Sequence, residues 1–194
     1  MIYAVMLAFG DSLTFGARDH LEKGWPQYLA ETYFNCTGSP LLYANEGVNG
    51  EKIAGACKRA YPTIARYPAA TEVVFFEGTN DSKPPSPTTP EEYSACLGYI
   101  SNVSRSLGRH LYLPTLPGLS GFGSQEYDSG SQRMIDAYNE VIRKVAYRDW
   151  HTLVELCDMR KKPDFYTDGC HLNSSGYREI AKRIFNSILE RRKF

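Results

Sequence analysis

The chain alternates short apolar runs with longer stretches of helical periodicity, and this alternation restricts the available folds more than any other feature. Ile2–Phe9 is almost wholly apolar, the pattern of a parallel strand buried on both faces. Leu41–Ala44, Glu72–Glu77, His110–Leu113 and Thr152–Leu156 are shorter candidates of the same kind. Helical spacing falls between them. Trp25–Phe34 carries Pro26 near its start, where a missing N–H is tolerated, and Pro90–Leu107 follows the third run. Met134, Ile135, Tyr138, Val141, Ile142 and Val145 share one helical face. So do Tyr177, Ile180, Ala181, Ile184, Phe185, Ile188 and Leu189, after the capping-rich Asn173-Ser174-Ser175. Strands alternating with helices imply βαβ units and a sheet covered on both faces. The expected fold is a three-layer α/β/α sandwich on a flavodoxin-like parallel sheet of about five strands, in the order 2-1-3-4-5.

A length of 194 residues suits one domain spanning 1–194. Lys plus Arg and Asp plus Glu each number 22. Without a global charge bias, neither nucleic acid nor an anionic membrane is implied as a partner. The basic run Arg191-Arg192-Lys193 reads as cations complementing the dipole of a helix C-terminus. Cysteines 36, 57, 96, 157 and 170 are scattered without CxxC spacing, which suits reduced thiols, with a single disulfide as the alternative. No run approaches the roughly 18 apolar residues of a membrane-spanning helix. The first residues lack the basic region and small-residue site of a secretory leader, so a cytoplasmic location is the expectation.

In a parallel sheet, ligands bind beyond the C-terminal ends of the strands. Chemically capable residues cluster at those ends. The first strand runs into Gly10-Asp11-Ser12, the second into Asn45-Glu46-Gly47-Val48-Asn49-Gly50, and the third into Gly78-Thr79-Asn80-Asp81. The fifth is followed, after a short loop, by Asp168-Gly169-Cys170-His171. Ester hydrolysis needs these residue types. A serine hydroxyl becomes nucleophilic when a base takes its proton, and histidine titrates in the right range. A carboxylate fixes the imidazole tautomer. Asp168 and His171 are three apart, which on a helical turn puts both on one side. The oxyanion of the tetrahedral intermediate needs preorganised donors. A glycine N–H, an asparagine amide and the Ser12 N–H can supply them. Asp11 and Asp81 read as structural supports, Gly47 as a backbone-conformation glycine, and Cys170 as a packing residue. His20, His110 and His151 lack partner patterns.

GDSLTFG, the N-x-G-x-x-G element, GTND and DGCHLN, in that order between residues 10 and 173, resemble the four blocks of the SGNH (GDSL-type) esterase and lipase family. The resemblance implies a carboxylic ester hydrolase with Ser12 as nucleophile, His171 as base and Asp168 as its orienting carboxylate. It also implies an oxyanion hole of the Ser12 N–H, Gly50 and Asn80, with no metal or organic cofactor. Gly50 is preferred to Gly47 because the family's oxyanion glycine closes this block before an acidic residue, here Glu51. The family's usual Asp-Thr pair is replaced by Glu51-Lys52. The G-x-S-x-G elbow of α/β-hydrolases is absent.

The partner so implied is a small-molecule ester. No long apolar stretch predicts a deep acyl channel, so short acyl chains, such as acetyl esters on carbohydrate, are the first expectation. A thioesterase or lysophospholipase acting on longer chains is the alternative. A non-catalytic carbohydrate-binding module on the same fold is the reading from a different class. The Pro-rich segment 83–90 and the glycine-rich segment 114–131 are candidate walls of the cleft, with Phe122 and Tyr127 as possible lining.

Overall fold

The computed structural model describes residues 4–120, 127 and 129–193. Phe122 lies outside them. Five parallel strands form one sheet in the order β2-β1-β3-β4-β5. They are β1 (Ala4–Gly10), β2 (Leu41–Gly47), β3 (Glu72–Phe76), β4 (His110–Pro114) and β5 (Thr152–Val154). The apolar runs explain the order. β1 and β3 are the most continuously apolar and sit at the centre, where Met6, Leu7, Ala8, Phe9, Val73 and Val74 are fully buried. β2 forms an edge and leaves Leu42 and Tyr43 exposed.

The chain leaves β1 toward one edge and then returns across it to build the other. Right-handed crossovers therefore place the first connection on one face and the later ones on the opposite face. Helices α1 (Ser12–Phe15), α2 (Gly24–Thr37) and α6 (Ser174–Arg191) pack together on one side, and α3 (Ile53–Arg66), α4 (Pro90–Ser106) and α5 (Ser129–Asp149) on the other. The reversal lies between β1 and β3, the position where ligand crevices open in such sheets.

The local signals act largely as anticipated. Thr89 and Glu92 form a reciprocal capping box with Pro90 at the first helical position. The Asn173 side chain accepts the N–H groups of Ser175 and Gly176 at the start of α6. Two helices escape the periodicity reading. α3 contains Gly55 and Pro62, which punctuate an otherwise amphipathic segment. α1 is only four residues long. The basic C-terminal run has a more specific partner than a helix dipole. Arg191 and Arg192 reach the buried Glu72 carboxylate at the start of β3, at 3.2 and 3.5 Å. All five cysteines are free thiols.

Candidate active site

β1 pairs Gly10 with Gly47 of β2 and with Phe76 of β3, so these three strands end level with one another. The turn beyond β1 is tight. A Cβ on Gly10 would fall 1.8 Å from the Phe76 carbonyl oxygen, and one on Gly47 would fall 2.2 Å from the Phe15 nitrogen. Only glycine allows the strand ends and α1 to approach this closely. Gly47 is thus required by close approach and not by an unusual φ. Asp11 caps α1 by accepting the Leu13 N–H at 2.8 Å, and the Thr14 hydroxyl donates to Phe76 O at 3.0 Å. These bonds fix Ser12 at the first helical position, 7% exposed.

Ser12 Oγ lies 3.1 Å from His171 Nε2, and His171 Nδ1 lies 2.9 Å from Asp168 Oδ2. The three side chains form one continuous hydrogen-bonded chain. The Asp168–His171 segment is an irregular bend, not the helical turn that its spacing suggested. Asp168 Oδ1 accepts the N–H groups of Cys170 (3.1 Å) and His171 (2.8 Å), folding the loop around the carboxylate. The Tyr166–Leu172 bridge and the Thr167 N–H to His171 O bond close the bend at its base. Partial burial works to raise the Asp168 pKa, but the bonds from the His171 N–H and imidazole outweigh it and hold the carboxyl below its ordinary value.

Gly50 sits in the turn after β2 at φ +76°, a left-handed conformation suited to glycine. Asn80 opens a short 3-10 turn after β3, buried, and its Nδ2 donates to the Glu51 carbonyl at 2.9 Å. That bond ties the end of β3 to the carbonyl of Glu51, the residue that follows Gly50. The second Asn80 amide hydrogen, the Ser12 N–H and the Gly50 N–H have no acceptor among the described residues. The Glu51-Lys52 departure has a structural counterpart. Glu51 is gripped by Arg59 of α3, whose Nε lies 2.9 and 3.0 Å from its two oxygens. The Arg59 guanidinium also stacks 4.3 Å from the centroid of the Phe9 ring and donates to Glu46 O. Lys52 Nζ donates to Ser86 O at 3.0 Å, linking this turn to the Pro-rich segment. Arg59 bears no motif, and sequence reasoning missed it.

Behind the turn that carries Ser12 lies a buried carboxyl cluster. Asp11 is 1% exposed, and burial pushes its pKa up to about 7 despite N–H bonds from Leu13 and Gly78. Glu77 is equally buried, and neither of its carboxyl oxygens has a partner among the described residues. Burial first, then the neighbouring Asp11, Asp81 and Glu51, drives its pKa well above the ordinary carboxylate range. Asp81 accepts the Ile53 N–H at 2.9 Å and the Thr88 hydroxyl, anchoring α3 and the Pro-rich segment as the expected structural support.

The Pro-rich and glycine-rich segments do face each other. Pro84 and Pro87 oppose Gly130, Ser131 and Met134 across a groove of about 240 Å³ that reaches Ser82, two residues beyond Asn80. Tyr127 lies beside the site: its hydroxyl is 3.5 Å from Cys170 Sγ, and Lys83 Nζ is 5.1 Å from its ring centroid. Cys170 is a buried thiol whose pKa burial pushes up to about 12, as befits a packing residue. His20 contacts Ser174, and His110 and His151 pack together at the opposite end of the sheet. Among the described residues, no group of three or more His, Cys, Asp or Glu side chains could hold a metal ion, and no helix is long and apolar enough to cross a membrane.

A hydroxyl joined through imidazole to a carboxylate, beside uncommitted N–H donors at the switch point of a parallel sheet, has its counterpart in known sequences. Residues 8–179 match the model of the GDSL-like lipase/acylhydrolase family, and the chain belongs to that family. No curated protein is similar to it in sequence. Solved structures share its fold at low identity. A lipase/acylhydrolase from Enterococcus faecalis is 21% identical with a TM-score of 0.80, covering 97% of this chain and 96% of its own. A psychrotrophic esterase from Pseudoalteromonas is 20% identical with a TM-score of 0.77, covering 98% and 99%. An acetyl xylan esterase from Geobacillus stearothermophilus is 19% identical with a TM-score of 0.79, covering 95% and 94%.

Proposed function

We propose that residues 1–194 form one catalytic domain, a serine esterase in which Ser12 is the nucleophile, His171 the general base and Asp168 its orienting carboxylate. The observation that carries the reading is the unbroken hydrogen-bonded chain from Ser12 Oγ through His171 to Asp168. Ser12 Oγ attacks the ester carbonyl carbon while His171 Nε2 takes its proton. The oxyanion is met by the N–H groups of Ser12 and Gly50 and by the Asn80 amide, already oriented by its bond to Glu51 O. Collapse of the intermediate breaks the C–O bond. The imidazolium gives its proton to the departing alcohol, and an acyl-serine remains. His171 then deprotonates water, which attacks the acyl carbon and releases the acid. One ester and one water become one acid and one alcohol.

Short acyl groups, acetyl on carbohydrate above all, are the proposed substrates. No long apolar stretch of the sequence suggests a deep acyl channel, and an acetyl xylan esterase is among the proteins that share the fold. The test is hydrolysis of p-nitrophenyl esters from acetyl to palmitoyl by wild type and Ser12→Ala, with fluorophosphonate labelling of both. The expected result is an acetyl-preferring activity and a label on Ser12, both lost in the variant. Preference for octanoyl or longer chains would overturn the acetyl assignment. Absence of labelling would leave a binding module as the better account.

A further inference from the structure

The loop between α1 and α2 carries a cation that the esterase mechanism leaves unused. Asp19, 5% exposed, is the centre of this loop. Its carboxylate accepts the N–H groups of Leu21 (3.2 Å), Lys23 (3.1 Å) and Gly24 (2.9 Å), together with the hydroxyls of Tyr28 and Ser174. The Tyr177 hydroxyl donates to Ala17 O at 2.7 Å, so α6 clamps the loop from the other side. Between these anchors stands Arg18, at φ +67°. For a residue with a Cβ this left-handed conformation costs about 1–2 kcal/mol, and such strained positions persist where the surroundings impose them, often at ligand sites.

The conformation brings the Arg18 side chain to the candidate active site. Its Nε lies 3.7 Å from Asp168 Oδ2, the oxygen that also holds the imidazole, while the side chain stays 67% exposed. The two terminal guanidinium nitrogens have no acceptor among the described residues. Asp19 is turned inward into its cage of donors, and Lys23 is paired with Glu31 at 2.7 Å. The free donors of Arg18 therefore form a forked, permanently charged edge beside the reacting groups. The chain as a whole has no net charge, so this attraction is local to the site.

We infer that Arg18 is a specificity-determining residue of this site, receiving a carboxylate or phosphate carried on the alcohol half of the ester. The inference rests on the esterase reading above. The imidazole must deliver its proton to the leaving oxygen, so the alcohol half lies along the His171 side, and Arg18 is joined to that side through Asp168. The anionic group meets the terminal guanidinium nitrogens while Nε stays turned toward Asp168.

The test compares three acetyl esters: neutral para-acetoxybenzamide, para-acetoxybenzoate and para-acetoxyphenyl phosphate. The readout is the ratio of kcat/KM for each anionic ester to that for the neutral one, which cancels any general effect on Ser12 or His171. In Arg18→Gln the ratio should fall about two- to fivefold, the scale of one exposed ion pair, and the larger loss identifies carboxylate or phosphate as the preferred group. Raising ionic strength should lower the ratio in wild type but not in the variant. Arg18→Gly removes the same charge while relieving the strained φ, so it folds readily and should reproduce the fall. An unchanged ratio in both variants would make Arg18 a mere counter-ion of Asp168 and overturn the inference. Hydrolysis of none of the three esters by wild type would instead overturn the esterase reading itself.

Discussion

Asp11, next to the proposed nucleophile Ser12, makes a prediction whose size follows from its surroundings. Its carboxyl passes from an ordinary 3.8 to about 7 on folding, chiefly through burial. Between those values the folded protein keeps a proton that the unfolded chain releases, so stability is full below about pH 4 and falls as pH rises toward 7. At about 1.36 kcal/mol for each pH unit, the whole loss amounts to about 4 kcal/mol. Asp11→Asn removes this dependence. The asparagine oxygen still accepts the Leu13 N–H, while the weaker bond from Gly78 N–H, at 3.4 Å, is lost. That loss is the same at every pH. The difference in unfolding free energy between variant and wild type should therefore move in favour of the variant by about 4 kcal/mol from pH 4 to pH 8. Other titrations common to both proteins cancel. Urea unfolding followed by the fluorescence of the buried Trp25 measures the difference. Stability curves that run parallel to within about 1 kcal/mol would refute the assigned cause, since no raised proton affinity would then exist at Asp11.

Removal of the Asn80 amide should lower kcat by about 100- to 1000-fold in Asn80→Ala. The melting temperature should move little, because one bond to Glu51 O is lost; calorimetry beside p-nitrophenyl acetate turnover separates the two effects, and unchanged turnover would remove Asn80 from the oxyanion site. Gly10→Ala forces a methyl to within 1.8 Å of the Phe76 carbonyl. Thermal denaturation should show a loss of about 3 kcal/mol or more, with activity reduced even at low temperature as Ser12 is displaced; a variant as stable as wild type would mean that β1 and β3 have room to separate.

How much was legible in the sequence depended on whether a signal was local. The five apolar runs became the five strands in the expected order, most plainly β1 and β3, where burial on both faces writes itself directly into composition. Ser12, Asp168 and His171 stood at strand ends with chemistry that only made sense together, and the folded chain brings them into contact. α3 was hidden because Pro62 and Gly55 break its pattern, although packing against α4 holds it. The Asp168–His171 spacing suggested a helical turn, whereas a side-chain-to-backbone bend achieves the same approach. Arg59, Glu77 and Arg18 were invisible for another reason. Each acquires its meaning from groups far away in sequence: Arg59 from the Phe9 ring, Glu77 from surrounding carboxyls, Arg18 from Asp168.

The contact between Ser12 and His171 joins residues 159 positions apart. Ser12 and the proposed oxyanion donors Gly50 and Asn80 come from the ends of the first three strands, and His171 arrives only after β5, just before α6 lays itself along α2. As the chain leaves the ribosome, Ser12 is made long before His171, the residue that its hydroxyl meets in the folded chain. On the proposed mechanism, hydrolysis requires the loop that carries His171 to have docked against the turn that holds Ser12, so the onset of activity would report the completion of the fold.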